Sequence, residues 1–84
     1  MNIYKITQSE NNGYDTYDAA IVIAPDESAA RYIHPDGDLT WSKKGAWDYS
    51  YSWCCSPDEV TVELIGVAID TAPAGVVLAS FNAG

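Results

Sequence analysis

Cations are scarce in this chain. Four Lys and Arg stand against twelve Asp and Glu, a formal net charge of −8. Direct binding to duplex nucleic acid is excluded on that balance, because neutralising phosphates needs Lys and Arg. Histidine occurs once, at His34. A catalytic zinc needs three protein ligands, and none of the usual His and Cys spacings occurs, so no metal site, catalytic residue or cofactor is assigned. The two cysteines, Cys54 and Cys55, are adjacent. That is a strained place for a disulfide and lacks Cys-x-x-Cys spacing, so both are read as reduced, partly buried thiols of an intracellular protein. No apolar stretch approaches the roughly 18 residues of a membrane span, and no signal peptide is present, so a soluble cytoplasmic protein is expected.

What is present is enough apolar material for one folded domain over residues 1–84, 48% of the chain by composition. The stretch from Asp18 to Gly37, DAAIVIAPDESAARYIHPDG, organises the rest. Ala19 to Ala24 is a continuous apolar run, the length of a strand covered on both faces. Pro25 stops it, since proline donates nothing to a strand ladder. Asp26 is placed to cap a helix over residues 26–34, Glu27 complements its positive end, and Pro35 terminates it. Such a helix is about two turns long and needs a sheet to pack on.

Asn2 to Gln8 reads as a first strand with one face buried, joined to the second by a polar loop with Asn12-Gly13 as its turn signal. Val60 to Ala68 and Gly75 to Phe81 read as later strands, with Gly66 marking a bulge or a close backbone approach. Ser56 to Glu59 reads as a turn or one helical turn with proline at its start. A single short helix cannot supply the crossovers of a parallel sheet. The expected fold is therefore α+β: a mainly antiparallel sheet of 4–5 strands with one short helix on one face. Ile21, Ile23, Ala30, Ile33, Val62, Leu64, Val76 and Leu78 are the expected core.

Three places could carry recognition. His34-Pro35-Asp36-Gly37-Asp38 sets the histidine beside two acids; it reads either as a polar ligand contact or as a helix C-terminus followed by an Asp-Gly turn. The 11–17 loop offers Tyr14, Asp15 and Tyr17, residue types suited to polar ligands and equally to a solvated hairpin tip. Trp41, Trp47, Tyr49, Tyr51 and Trp53 place five aromatics within thirteen residues, and from Trp47 to Trp53 they alternate with small polar or acidic residues. A domain this small can hardly bury them all. The expectation is an exposed aromatic surface at Trp41, Trp47, Tyr51 and Trp53, the alternative a lid over the sheet.

Ile3-Tyr4-Lys5-Ile6, Asn12-Gly13-Tyr14-Asp15-Thr16-Tyr17-Asp18, Ala30-Arg31-Tyr32-Ile33-His34-Pro35-Asp36-Gly37, Trp53, Val62-Glu63-Leu64-Ile65-Gly66-Val67-Ala68 and Ala79-Ser80-Phe81-Asn82-Ala83-Gly84 together resemble a family of very short conserved bacteriophage open reading frames. Residues 39–52 lie outside the resemblance. It implies a phage or prophage origin and, by analogy with phage genes of this size, a non-enzymatic accessory protein that inhibits or modulates a host defence factor by protein–protein binding. Two alternatives stand beside it: an oligomer that sequesters a small nucleotide signal, and a structural or virion-associated protein. Small size with surplus aromatics leads to the expectation of a homo-oligomer, a dimer first.

Overall fold

The computed structural model describes residues 1–9, 11, 15–35, 53–54 and 57–82. It has the expected α+β architecture. Strands β1 (Asn2–Thr7), β2 (Thr16–Ala24), β3 (Thr61–Val67) and β4 (Gly75–Asn82) form one four-stranded sheet in the order β3-β1-β2-β4. Every pairing is antiparallel. Helix α1 (Glu27–Arg31) packs on β1, β2 and β3, and a 3-10 turn at Pro57–Glu59 leads into β3.

Local chemistry accounts for each element. β1 and β2 form the expected hairpin, with Ile3 opposite Ile23 and Ile6 opposite Ala20. The Asp26 carboxylate accepts a hydrogen bond from the Ala29 backbone N–H at 2.8 Å, so it caps α1 as its side-chain type predicts. The Arg31 guanidinium donates to the Val60 carbonyl and lies 3.4 Å from Glu27, tying the end of the helix to the entry of β3. The α-helix is shorter than the expected 26–34 span. Tyr32 is its C-cap, and Ile33 donates back to Ala30 in a tightened last turn before Pro35.

Period-two alternation divides the sheet into two faces. On the helix side, Tyr4, Ile6, Ala20, Val22 and Ala24 are buried against Ala30, Ile33, Trp53, Cys54 and Val60. On the other side Lys5 is exposed and Ile3 and Ile21 are half-buried. Part of the expected core is confirmed: Ile23, Ala30 and Ile33 are buried. Leu64 and Leu78 are not, at 61% and 67% exposed, and Ile21, Val62 and Val76 are only half-buried. For Val62, Leu64 and Val76, on the helix side, the reason is coverage: a five-residue helix is about 7.5 Å long, whereas four strands span roughly 14 Å, so the edge strands run out from under it. Ile21 and Leu78 are register partners on the face turned away from the helix.

β3 carries the expected irregularity near Gly66: its register against β1 shifts between Ile3 and Tyr4, which face Gly66 and Leu64. The glycine is not demanded by close approach, since a Cβ there would meet Ile3 Cδ1 at an ordinary 3.8 Å. The β2–β4 pairing shifts twice, between Tyr17 and Ala19 and between Ile21, opposite Leu78, and Val22, opposite Val76; β4 begins at Gly75 with φ 131°.

Candidate functional site

The loop end of the sheet gathers residues from four parts of the chain. Tyr17 opens β2 on the core side, opposite Phe81 near the end of β4, and their rings lie 4.8 Å apart. His34, just beyond α1, meets the Tyr17 ring edge-on at 6.2 Å and lies 6.4 Å from the Trp53 ring. The result is an aromatic row from Phe81, 47% exposed, through half-buried Tyr17 to His34 and Trp53, which are 2% and 0% exposed.

Gln8 holds this corner together. Its Nε2 donates to the carbonyls of Asn11 and Tyr17 at 2.8 and 3.0 Å, and its Oε1 accepts from the Asn11 N–H at 2.8 Å. Asn11 in turn donates from Nδ2 to the Trp53 carbonyl at 3.2 Å, linking the loop to a residue 42 positions away. A buried amide that spends both N–H donors and its oxygen on backbone groups acts as a structural clamp. Nothing in the sequence around Gln8 distinguishes it from any polar residue at a strand end.

The candidate residues therefore separate. Asp15 is exposed and holds φ at 60°, a left-handed conformation that Asp tolerates at a turn. Tyr17 is half-buried and forms one wall of the corner. His34 and Trp53 are brought together with Tyr17, but they are turned inward and present almost no surface. Tyr14, Asp36, Trp41, Trp47 and Tyr51 lie outside the described residues, as does the expected aromatic strand apart from Trp53. Cys54 is a buried thiol of the same core.

The exposed apolar surface lies elsewhere. Leu64, Ile65 and Val67 on β3 and Ile69 just beyond it are 61%, 48%, 77% and 74% exposed, and Met1 is 44% exposed. The Met1 carbonyl accepts from the Ala68 N–H at 2.9 Å, which brings the start of the chain to the end of β3. On the opposite edge, Val77, Leu78 and Phe81 are 60%, 67% and 47% exposed. Beside Leu78 a shallow apolar trough runs between β2 and β4, lined by Ala19, Ile21 and Ser80. A signal for the first patch existed in the sequence: Leu64 to Ile69 is apolar throughout, more than a short strand with one covered face can bury.

Every described carboxylate is exposed. Of the described cations, Arg31 is committed to Val60 and Glu27, and Lys5 lies opposite Glu63 across the strands. Among the described residues, no group of three His, Cys, Asp or Glu side chains is placed to hold a metal ion, and no helix is long and apolar enough to cross a membrane. Comparison with protein-family models, curated proteins and solved structures found no match.

Proposed function

We propose that this chain is a non-enzymatic binding protein that acts by protein–protein contact, and that the patch of Met1, Leu64, Ile65, Val67 and Ile69 is its docking surface. The observation that supports this is the patch itself. A small acidic protein that leaves five large apolar side chains exposed together, flanked by the Glu63 and Asp70 carboxylates, has the composition of an interface with an apolar centre and a charged rim. The partner that fits is a protein with an apolar groove bordered by basic residues.

The resemblance to short bacteriophage proteins gives this binder its setting: an accessory protein in the host cytoplasm that inhibits or modulates a host defence factor. The aromatic segment 41–53, apart from its buried Trp53, and the 11–17 loop belong to the same reading as further contact regions. Sequestration of a nucleotide signal is the alternative; among the described cations, Arg31 is engaged with protein groups and Lys5 faces a carboxylate, so that reading would draw on Lys43 and Lys44.

The test is a single charge on the patch. Val67→Asp changes a side chain that is 77% exposed, so stability should move by no more than about 0.5 kcal/mol. In a defence-carrying host infected by phage, the wild-type chain is expected to raise phage yield. Val67→Asp should reduce that gain at least tenfold, with the melting temperature unchanged. Equal yields from the two proteins would sink the assignment of this patch.

A further inference from the structure

The two edges of the sheet are not alike. Both outer strands carry a register shift against their neighbour, so the difference between them is charge. β3 carries Glu63, exposed, and a charge of this kind keeps an edge strand from pairing with another chain. β4, Gly75–Asn82, carries no ionisable residue and no proline over eight positions, while Val77, Leu78 and Phe81 stand 60%, 67% and 47% exposed. An apolar edge without a charge is a template for another strand.

We propose that the occupant of this edge is the β4 strand of a second copy, paired antiparallel across a two-fold axis to give a continuous eight-stranded sheet. Charge selects the copy. At net −8 two molecules repel over most of their surface, but β4 against β4 brings no carboxylate into the seam in any register. β3 against β3 would bring two Glu63 side chains into one. The nearest described acid beside the seam, Asp18, sits on β2. Its counterpart in the second copy is at least three strand spacings away, about 14 Å, beyond the screening length of about 8 Å at physiological salt.

The faces also match. Residues directly opposite in an antiparallel pair share a face, and a two-fold axis normal to the sheet keeps each face on its own side. Leu78 therefore meets Leu78 or Ser80 of the second copy, and the trough along Ala19, Ile21, Leu78 and Ser80 continues across the seam. On the helix side Phe81 and Ala79 continue the apolar row.

The area sets the strength. Eight residues of strand are about 27 Å long and a sheet is about 10 Å thick, so the edge offers on the order of 270 Å² per copy. Standard interfaces bury about 800 Å² per partner. The dimer should thus be weak and concentration-dependent, with a micromolar dissociation constant rather than a nanomolar one. This interface is independent of the β3 patch, and the variants below separate the two.

Sedimentation equilibrium from about 1 to about 500 μM reads the association directly. The mass should rise from the 9.1 kDa of one chain towards twice that value. Leu78→Glu should weaken dimerisation at least 100-fold, because it sets two carboxylates across the axis, while Leu64→Glu on the other edge should leave it unchanged. Both positions are exposed, so both variants should keep the wild-type circular dichroism, and Val77→Lys serves as a second seam variant if Leu78→Glu misfolds. In the wild type, hydrogen exchange of alternate β4 amides should slow as concentration rises. A monomer at the highest concentration overturns the proposal and leaves the edge to a strand from a different protein. A dimer that survives both seam variants, or that Leu64→Glu breaks, overturns it too.

Discussion

Trp53→Ala is the sharpest test of how this small core is held. Trp53 is fully buried, the largest side chain that is among the described residues, and its ring sits beside His34 at the loop end of the sheet. Truncating a buried tryptophan removes its transfer free energy and leaves a cavity, together about 3–5 kcal/mol. A domain of this size has a total stability near the low end of about 5–15 kcal/mol. Trp53→Ala should therefore lose most of its stability while keeping the hydrogen bond that Asn11 Nδ2 donates to the residue 53 carbonyl, since that acceptor is backbone. With a urea dependence of about 1 kcal/mol/M, the unfolding midpoint should fall by about 3 M or more. Far-UV circular dichroism is the suitable probe, because it does not depend on the deleted fluorophore, and low micromolar protein keeps association out of the measurement. Trp53→Phe should fall between, having kept a ring and lost part of its volume. A midpoint drop below about 0.5 M for Trp53→Ala would refute the placement of this residue in the core and return it to the recognition surface.

Two further outcomes test the frame. Ile23→Asp should unfold the domain, since Ile23 is 8% exposed and the substitution buries an unpaired carboxylate; a soluble variant with native circular dichroism and melting temperature would count against that burial. Asp26→Ala should cost about 1 kcal/mol by removing the cap on the Ala29 N–H, whereas Asp26→Asn should restore most of it, both read as midpoint shifts in urea.

Much of the fold is legible in residue chemistry alone. The Ala19 to Ala24 run, Pro25 and Asp26 set a strand, a stop and a capped helix, because each acts through its own backbone or its neighbours'; the helix ends at Arg31, before Pro35 could stop it. The Asn12-Gly13 signal and the scarcity of helix made the sheet antiparallel, as it is. The order β3-β1-β2-β4 is different in kind. Nothing local to Gly75–Asn82 says whether that strand is flanked on one side or two. Its apolar run reads as a buried strand, with Leu78 in the core. At a sheet edge, with Leu78 on the face turned away from the helix, the run becomes exposed surface. Leu64, at the other edge, lies on the helix side but past the end of a five-residue helix.

The site divides in the same way. Residue type marked Tyr17, His34 and Trp53 as noteworthy, and the folded chain does bring them together. Their exposure is another matter: an aromatic ring binds a partner or fills a core with the same chemistry, and only the packing around it decides. For His34 and Trp53 that packing is inward. Among the described residues, the exposed apolar side chains fall at Val67, Ile69 and their neighbours at one edge and at Leu78 at the other, because burial is a property of what lies above a residue, and that is supplied by segments far away in the chain.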